Sequence, residues 1–326
     1  MTAIELRGVT KEFAEVTAVR DLDLTVDDGE VYGFLGPNGA GKSTTIDMLL
    51  DLVRPTAGTV HVLGADVATD GVEIRRRTGV LPDGFSVYDR LSGRKHVEFA
   101  VESKEADDDP DALLDRVGLA DAADRPAGDY SKGMRQRLAL AMALVGDPDL
   151  LVLDEPSSGL DPAGAKEMRE IVRAEAERGA TVFFSSHVLE QVDAVCDRVG
   201  ILRDGELVAE DSVEGLREAV GGEETLEVAA AGADDDAVAA VRALDGVSGV
   251  TRDGDELVVN CASDAKTDVI AALEDAGVTV ADFHTREASL EDLFLAYTEG
   301  DAATRDADSG ASASADDEPA AEEVER

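Results

Sequence analysis

The sequence predicts an α/β protein, a parallel-leaning sheet with helices packed on it, followed by a smaller α+β unit. Three observations carry that prediction. Short apolar runs alternate with segments of helical spacing, a glycine-rich stretch joins one such run to one such helix, and beyond Gly221 and Gly222 the pattern changes to strand, helix, strand, strand, helix, strand.

The elements follow in chain order. "AIELRGVT", "LDLTV" and "GTVHVLG" mix β-branched residues with turn signals such as Asp27, Asp28 and Gly29, and read as strands. "VYGFL" is a short buried-strand run ending at the glycine stretch. "KSTTIDMLLDLV" then repeats Ile46, Leu49, Leu50 and Val53 at helical spacing until Pro55 stops it. Residues 92–148 read as mostly helical, and "LLVLDEP" and "TVFFSS" as buried strands, each followed by a helix, "PAGAKEMREIVRAEAERG" and "VLEQVDAVCDR". The first unit is thus placed at 1–218. In the second, at 222–299, "TLEVAAA", "DDAVAAVRAL", "GVSGVTRD", "ELVVNC", "AKTDVIAALEDAG" and "VTVADFHT" give the split βαβ, ferredoxin-like order, closed by a helix "SLEDLFLAYTEG". Residues 300–326 are Ala-, Asp-, Ser- and Glu-rich without aromatics, which predicts a disordered acidic tail.

Charge bounds the partners. Seventy-two acidic residues stand against thirty basic ones, a net charge of −42, and the acids are spread along the chain. Such a surface excludes nucleic acid as a main partner, because phosphate-backbone binding needs a basic footprint. Only seven of the thirty basic residues are lysines, and this low-lysine, Asp-rich balance resembles proteins of salt-accumulating halophiles. High salt is expected to be needed to offset the self-repulsion. Cys196 and Cys261 lack metal-type spacing, no secretion signal is visible, and "LALAMALVG" is too short to span a bilayer. The expectation is a cytoplasmic protein that meets a membrane only through another chain.

"GPNGAGKST" supplies Gly36, Pro37, Asn38, Gly39, Ala40, Gly41, Lys42, Ser43 and Thr44, the phosphate-loop pattern. Between a buried strand and a helix, its backbone N–H groups and the positive helix end converge on one small volume. Lys42 can reach the β- and γ-phosphates of ATP, and the Ser43 hydroxyl can ligate Mg²⁺. One ammonium–phosphate contact at ~4 Å provides about 4 kcal/mol at an effective dielectric of 20. Charges beyond about 8 Å are largely screened at physiological salt, so a few aligned groups outweigh the acidic surface. Asp154 and Glu155 leave the apolar run "LLVLDEP" together, and paired acids at such a place need a cation or a task. In a phosphate-loop enzyme the first supports Mg²⁺ and the second orients and deprotonates the attacking water.

"YSKGMRQRLALAMAL", alone only a capped helix, changes status in company. Phosphate loop, YSKGM, LLVLDEP, "SGLD" and His187 occur in the order found in the ATP-binding subunits of ABC transporters, and the chain resembles that family over roughly residues 3 to 215. The resemblance implies a homodimer that sandwiches two ATP molecules and drives a separate transmembrane permease from the inner face of the cell membrane. By residue, it implies that Ser131 and Gly133 touch the γ-phosphate of the partner's ATP and that Asp161 connects the two sites. His187 would contact the γ-phosphate, and Phe13 matches the position that stacks on adenine, though alone it reads as core. Two departures stand out. Lys132 and Met134 replace the usual glycine and glutamine of the signature, as in drug-resistance and other export-type members. Asp83 in "GVLPDGFSVYDRLSG" replaces a glutamine that senses Mg²⁺ and the membrane partner; its shorter carboxylate can still reach the metal directly or through water. The added C-terminal unit is similar to the extension of the export branch. A soluble ABC-type ATPase acting on DNA or ribosomes is the alternative; the long coiled-coil insertion, tandem cassettes and basic surfaces usual there are missing. A regulatory module that holds ATP without turnover is opposed by Glu155 and His187.

Overall fold

The computed structural model describes residues 2–219, 223–254 and 256–286. The predicted closing helix "SLEDLFLAYTEG" and the acidic tail at 300–326 lie outside the described residues.

Strands β1 (Thr2–Phe13) and β2 (Val16–Asp27) pair antiparallel, and β3 (Val31–Leu35) follows with all five residues buried. Next come α1 (Lys42–Leu49), β4 (Ala57–Val62), β5 (Ala65–Asp66), α2 (Val67–Arg77) and β6 (Thr78–Leu81). A helical layer, α3 (Gly93–Lys104), α4 (Pro110–Arg116) and α5 (Lys132–Ala143), precedes β7 (Leu150–Asp154), α6 (Pro162–Glu177), β8 (Thr181–Ser186) and α7 (Leu189–Asp193). β9 (Arg198–Arg203), β10 (Glu206–Ser212) and α8 (Val213–Ala219) complete this unit.

Six strands form one sheet in the order β10-β9-β3-β8-β7-β6, parallel throughout except for the β10–β9 edge pair. Its central strands are continuous apolar runs because both faces are covered. The side chains alternate between two cores. Val31, Leu35, Leu151, Leu153, Val182 and Phe184 pack beneath the helical layer, whereas Tyr32, Phe34, Leu150, Val152 and Phe183 pack against β1, β2 and α1. Gly33 of β3 lets α7 approach, since a Cβ there would lie 2.5 Å from Val192 Cγ1 and 3.0 Å from Cys196 Sγ.

The parallel-leaning sheet is as expected, but it does not contain the three early segments read simply as strands. β1, β2 and β4 belong to a separate antiparallel sheet, β2-β1-β4-β5. The helix read through Val53 stops at Leu49, where Leu52 and Val53 both turn back to donate N–H to Asp47 O and Asp51 takes φ 55°. β5, α2, β6, β9, β10 and α8 were not anticipated from the sequence.

The second unit comprises β11 (Glu223–Ala231), α9 (Asp235–Arg242), β12 (Val247–Asp253), β13 (Glu256–Ala262), α10 (Lys266–Asp275) and β14 (Thr279–Arg286). Its sheet order, β12-β13-β11-β14 with every pair antiparallel, is the ferredoxin-like arrangement read from the sequence. A core of its own gathers Leu226, Val228, Val241, Leu257, Val259, Cys261, Val269 and Leu273. No helix among the described residues is long and apolar enough to cross a membrane.

Candidate functional site

The loop of residues 36–41 connects β3 to α1, and its glycines are needed for two separate reasons. Gly39 and Gly41 hold φ 84° and 110°, a left-handed region closed to most side chains. Gly36 and Gly41 face backbone at close range: a Cβ would lie 2.5 Å from Leu202 O in the first case and 2.5 Å from Ala18 O in the second. Gly41 also caps α1 without any side-chain hydrogen bond, so the first amides of the helix keep their donors for an anion.

Lys42, 7% exposed, folds back over this loop, its Nζ donating to Gly36 O at 2.7 Å and Pro37 O at 3.3 Å. Burial lowers its pKa from the ordinary lysine value, and the negative charges of Glu155 and Asp154 partly restore it. Parallel β7 and β8 deliver the acidic pair. Asp154 Oδ1 accepts from Ser185 Oγ at 2.7 Å, while Oδ2 faces the Ser43 hydroxyl at 3.5 Å, the long limit of a hydrogen bond. Glu155 adopts φ 49°, a left-handed conformation uncommon for a non-glycine residue. Its N–H donates to Ser185 O at 3.1 Å, and this turn directs the side chain to His187, whose Nδ1 lies 2.8 Å from Glu155 Oε1. His187 is 48% exposed and does not itself line the cleft that Lys42 and Glu155 line; it touches the site through Glu155.

A cleft of about 190 Å³ is lined by Ala18, Asn38, Gly39, Gly41, Lys42, Ser43, Thr44, Asp83, Asp154 and Glu155. The structure thus brings together the phosphate loop, both acids and Asp83. Phe13, at the end of β1, is not a core residue; it is 46% exposed, with the Lys11 ammonium 4.7 Å from its ring centroid. Ser131, Gly133 and Asp161 are not among the residues lining this cleft. Ser131 caps α5 by accepting from Met134 N at 3.2 Å, and Asp161 caps α6 by accepting from Gly164 N at 2.8 Å. Sequence reasoning missed Ser185, which fixes Asp154; its signal was the pair of serines ending "TVFFSS". A larger cleft of about 540 Å³ lies between α1, β6 and the helical layer, with apolar walls including Leu50, Phe85, Phe99 and Met142, and it reaches Asp154 at its inner end.

Backbone donors at a glycine loop, a lysine folded over them and two acids at the end of β7, one strand removed from β3, define a phosphate-loop ATPase site. Comparison with known proteins narrows this. The family "ABC transporter" matches residues 19–158, and "ATP-binding protein DrrA1-3-like, C-terminal domain" matches residues 212–298. The daunorubicin resistance ATP-binding protein DrrA3 of Streptomyces coeruleorubidus is 35% identical over 315 residues, covering 94% of this chain and 99% of that protein. The daunorubicin/doxorubicin resistance ATP-binding protein DrrA of Streptomyces peucetius is 38% identical over 306 residues, with 91% and 92% covered. Among solved structures, an ATP-binding subunit of an ABC transporter superposes with TM-score 0.61 at 27% identity, covering 68% of this chain and 94% of that one. The dimeric post-hydrolysis state of the ATP-binding cassette MJ0796 bound to ADP and Pi gives TM-score 0.59 at 25% identity, covering 64% and 98%. The chain belongs to the ATP-binding, ATP-hydrolysing subunits of ABC transporters, in the drug-resistance, export-type branch.

Proposed function

We propose that the cleft between β3, β7 and β8 binds MgATP and hydrolyses it, and that two copies of the chain close on two nucleotides to move a separate transmembrane permease in the export direction. The observation that carries this reading is the convergence of Lys42, Ser43, Asp154 and Glu155 on one cleft at the ends of parallel strands. Brought to this chain, the relatives' printed role in daunorubicin resistance supports the export of drugs.

The donor set fits Mg²⁺: the Ser43 hydroxyl and the Asp154 carboxylate face each other, with the Asp83 carboxylate on the same cleft, all hard oxygen ligands. When bound, the ion neutralises phosphate charge and positions the γ-phosphate. The chain's own groups do the rest. Loop amides and the Lys42 ammonium hold the β- and γ-phosphates, and exchange the Lys42 bonds to Gly36 O and Pro37 O for phosphate oxygens. Glu155 accepts the proton of the attacking water, and His187 steadies the Glu155 carboxylate and reaches the γ-phosphate from beside it. Phe13 offers an exposed ring to adenine. Ser131 and Asp161, which cap helices, and Gly133 in the first turn of α5, none of them lining the cleft, serve the second copy's nucleotide. The apolar cleft that reaches Asp154 supports reading it as the docking face for the permease, and with it a peripheral position on the inner face of the membrane. The unit at 1–218 is read as the motor and the unit at 222–299 as an appended domain.

Single-turnover hydrolysis of MgATP by the wild type and Glu155→Gln tests the assignment. Equal rates would remove Glu155 as the base.

A further inference from the structure

We propose that Lys11 is a positioning residue for the nucleotide base: its ammonium, anchored to Arg54 O, fixes one face of the Phe13 ring and leaves the other to adenine. The inference rests on the reading of Phe13 as the ring that meets adenine.

The ring needs such a hold. Phe13 is the last residue of β1 and stands opposite Val16, itself 65% exposed, at the end of a hairpin whose turn passes through Ala14 at φ 51°. Packing covers only part of a ring placed there, and a ring free to turn must be ordered when a base binds, at an entropic cost. Lys11, two residues earlier, removes part of that cost. Its Nζ lies over the ring, 4.7 Å from the centroid, within the range where the negative face of an aromatic ring attracts an ammonium. A cation on one face draws π density toward itself, which lessens the repulsion that the π cloud of a purine meets on the opposite face.

The ammonium is itself held. Lys11 Nζ donates to Arg54 O at 2.8 Å, and its neighbours are fastened to the same segment: Thr56 N–H donates to Thr10 O at 2.7 Å, and Glu12 N–H to Thr56 Oγ1 at 3.0 Å. Residues 10–12 of β1 are thus bonded one by one to residues 54–56, which lie between α1 and β4. α1 opens with Lys42 and Ser43, assigned to phosphate and Mg²⁺, so the segment leaving this short helix holds the cation that orients the base platform. On the other strand of the hairpin, Ala18, two residues beyond Val16, lines the phosphate cleft. The platform and the phosphate grip are therefore tied together through both β2 and α1.

The test titrates the full chain by calorimetry in molar KCl with MgADP and with magnesium tripolyphosphate, which carries no base. Lys11→Gln is expected to weaken MgADP binding about threefold, the worth of one cation–π contact at an exposed site, and to leave tripolyphosphate affinity unchanged. Lys11→Arg is expected to keep MgADP affinity, and Lys11→Gln added to Phe13→Ala to weaken it no further. Undiminished MgADP affinity in Lys11→Gln overturns the proposal. So does an equal loss of tripolyphosphate affinity, which would make Lys11 a charge that attracts phosphate, and so does a loss that persists in the Phe13→Ala background. Phe13→Ala is compared first: MgADP affinity equal to that of the wild type overturns the adenine reading of Phe13, and this proposal with it, before any Lys11 variant is examined.

Discussion

His187 Nδ1 and Glu155 Oε1 stand 2.8 Å apart, on neighbouring strand ends joined by the Glu155 N–H bond to Ser185 O. In the proposed mechanism Glu155 is the proton acceptor and His187 the group that steadies it, on the cleft that Lys42 also lines. Replacing Glu155 with Gln keeps shape and removes the base. Hydrolysis should fall by about 10²–10⁴-fold, the usual worth of a general base, while nucleotide affinity is retained and a closed dimer accumulates. Single-turnover kinetics with a light-scattering measure of mass checks both halves.

Lys42 is expected to set the alkaline limit of binding. Burial favours its neutral form, so its pKa in the free protein lies below the ordinary lysine value. A bound polyphosphate favours the charged form. Binding therefore takes up a proton wherever the free protein has lost it, and affinity falls as pH rises through the lowered pKa of the free protein. The same linkage makes burial of charged Lys42 cost stability below that pKa, a cost relieved as pH rises toward the unfolded value. Titration of a fluorescent nucleotide across alkaline pH should show weakening that Lys42→Ala, already weak at neutral pH, does not share.

These residues were legible from the sequence because phosphate binding constrains the backbone itself. Gly39 and Gly41 need positive φ, Gly36 and Gly41 need room, and no other residue type meets both demands. Asp154 and Glu155 were legible because acids rarely end an apolar run. The positive φ of Glu155 and the bond from Ser185 left no such mark, since a glutamate and a strand-ending serine have many uses. Ile4 and Leu6 alternating with Glu5 and Arg7 announce a strand with one buried face, but partner choice is made at long range. The sequence pattern therefore did not show that β1, β2 and β4 form their own sheet. Phe13 shows the same limit from the other side, because its exposure depends on where β1 ends.

Packing at Gly33 offers a prediction of the fold alone. The glycine lies mid-strand in β3, one element before the phosphate loop, and α7 sits directly on it. Gly33→Ala places a methyl 2.5 Å from Val192 Cγ1 and must push α7 outward. The cost should be about 1–3 kcal/mol, as for other overpacked cores, measured by denaturant unfolding in high salt. Because α7 follows the β8 end that carries His187, hydrolysis should fall more than nucleotide affinity does.

Salt should govern stability more than any single contact. With seventy-two acids against thirty bases, net charge −42, the acids outnumber the cations available to pair with them, and the resulting repulsion is what added ions screen. The well-formed pairs behave differently. Glu175, 5% exposed, is held by both Arg116 and Arg178, and Arg198 bridges Glu30 and Glu210; such part-buried pairs are screened much less. Raising KCl from dilute buffer to molar should therefore increase the melting temperature, with the repulsive surface relieved while these pairs persist. ATP hydrolysis should rise in parallel, since the Lys42 and loop-amide contacts act within a few ångströms and the surface acts from further away. Calorimetric melting and ATPase rates measured along the same KCl series check the claim, and a melting temperature unchanged between the two ends would contradict it.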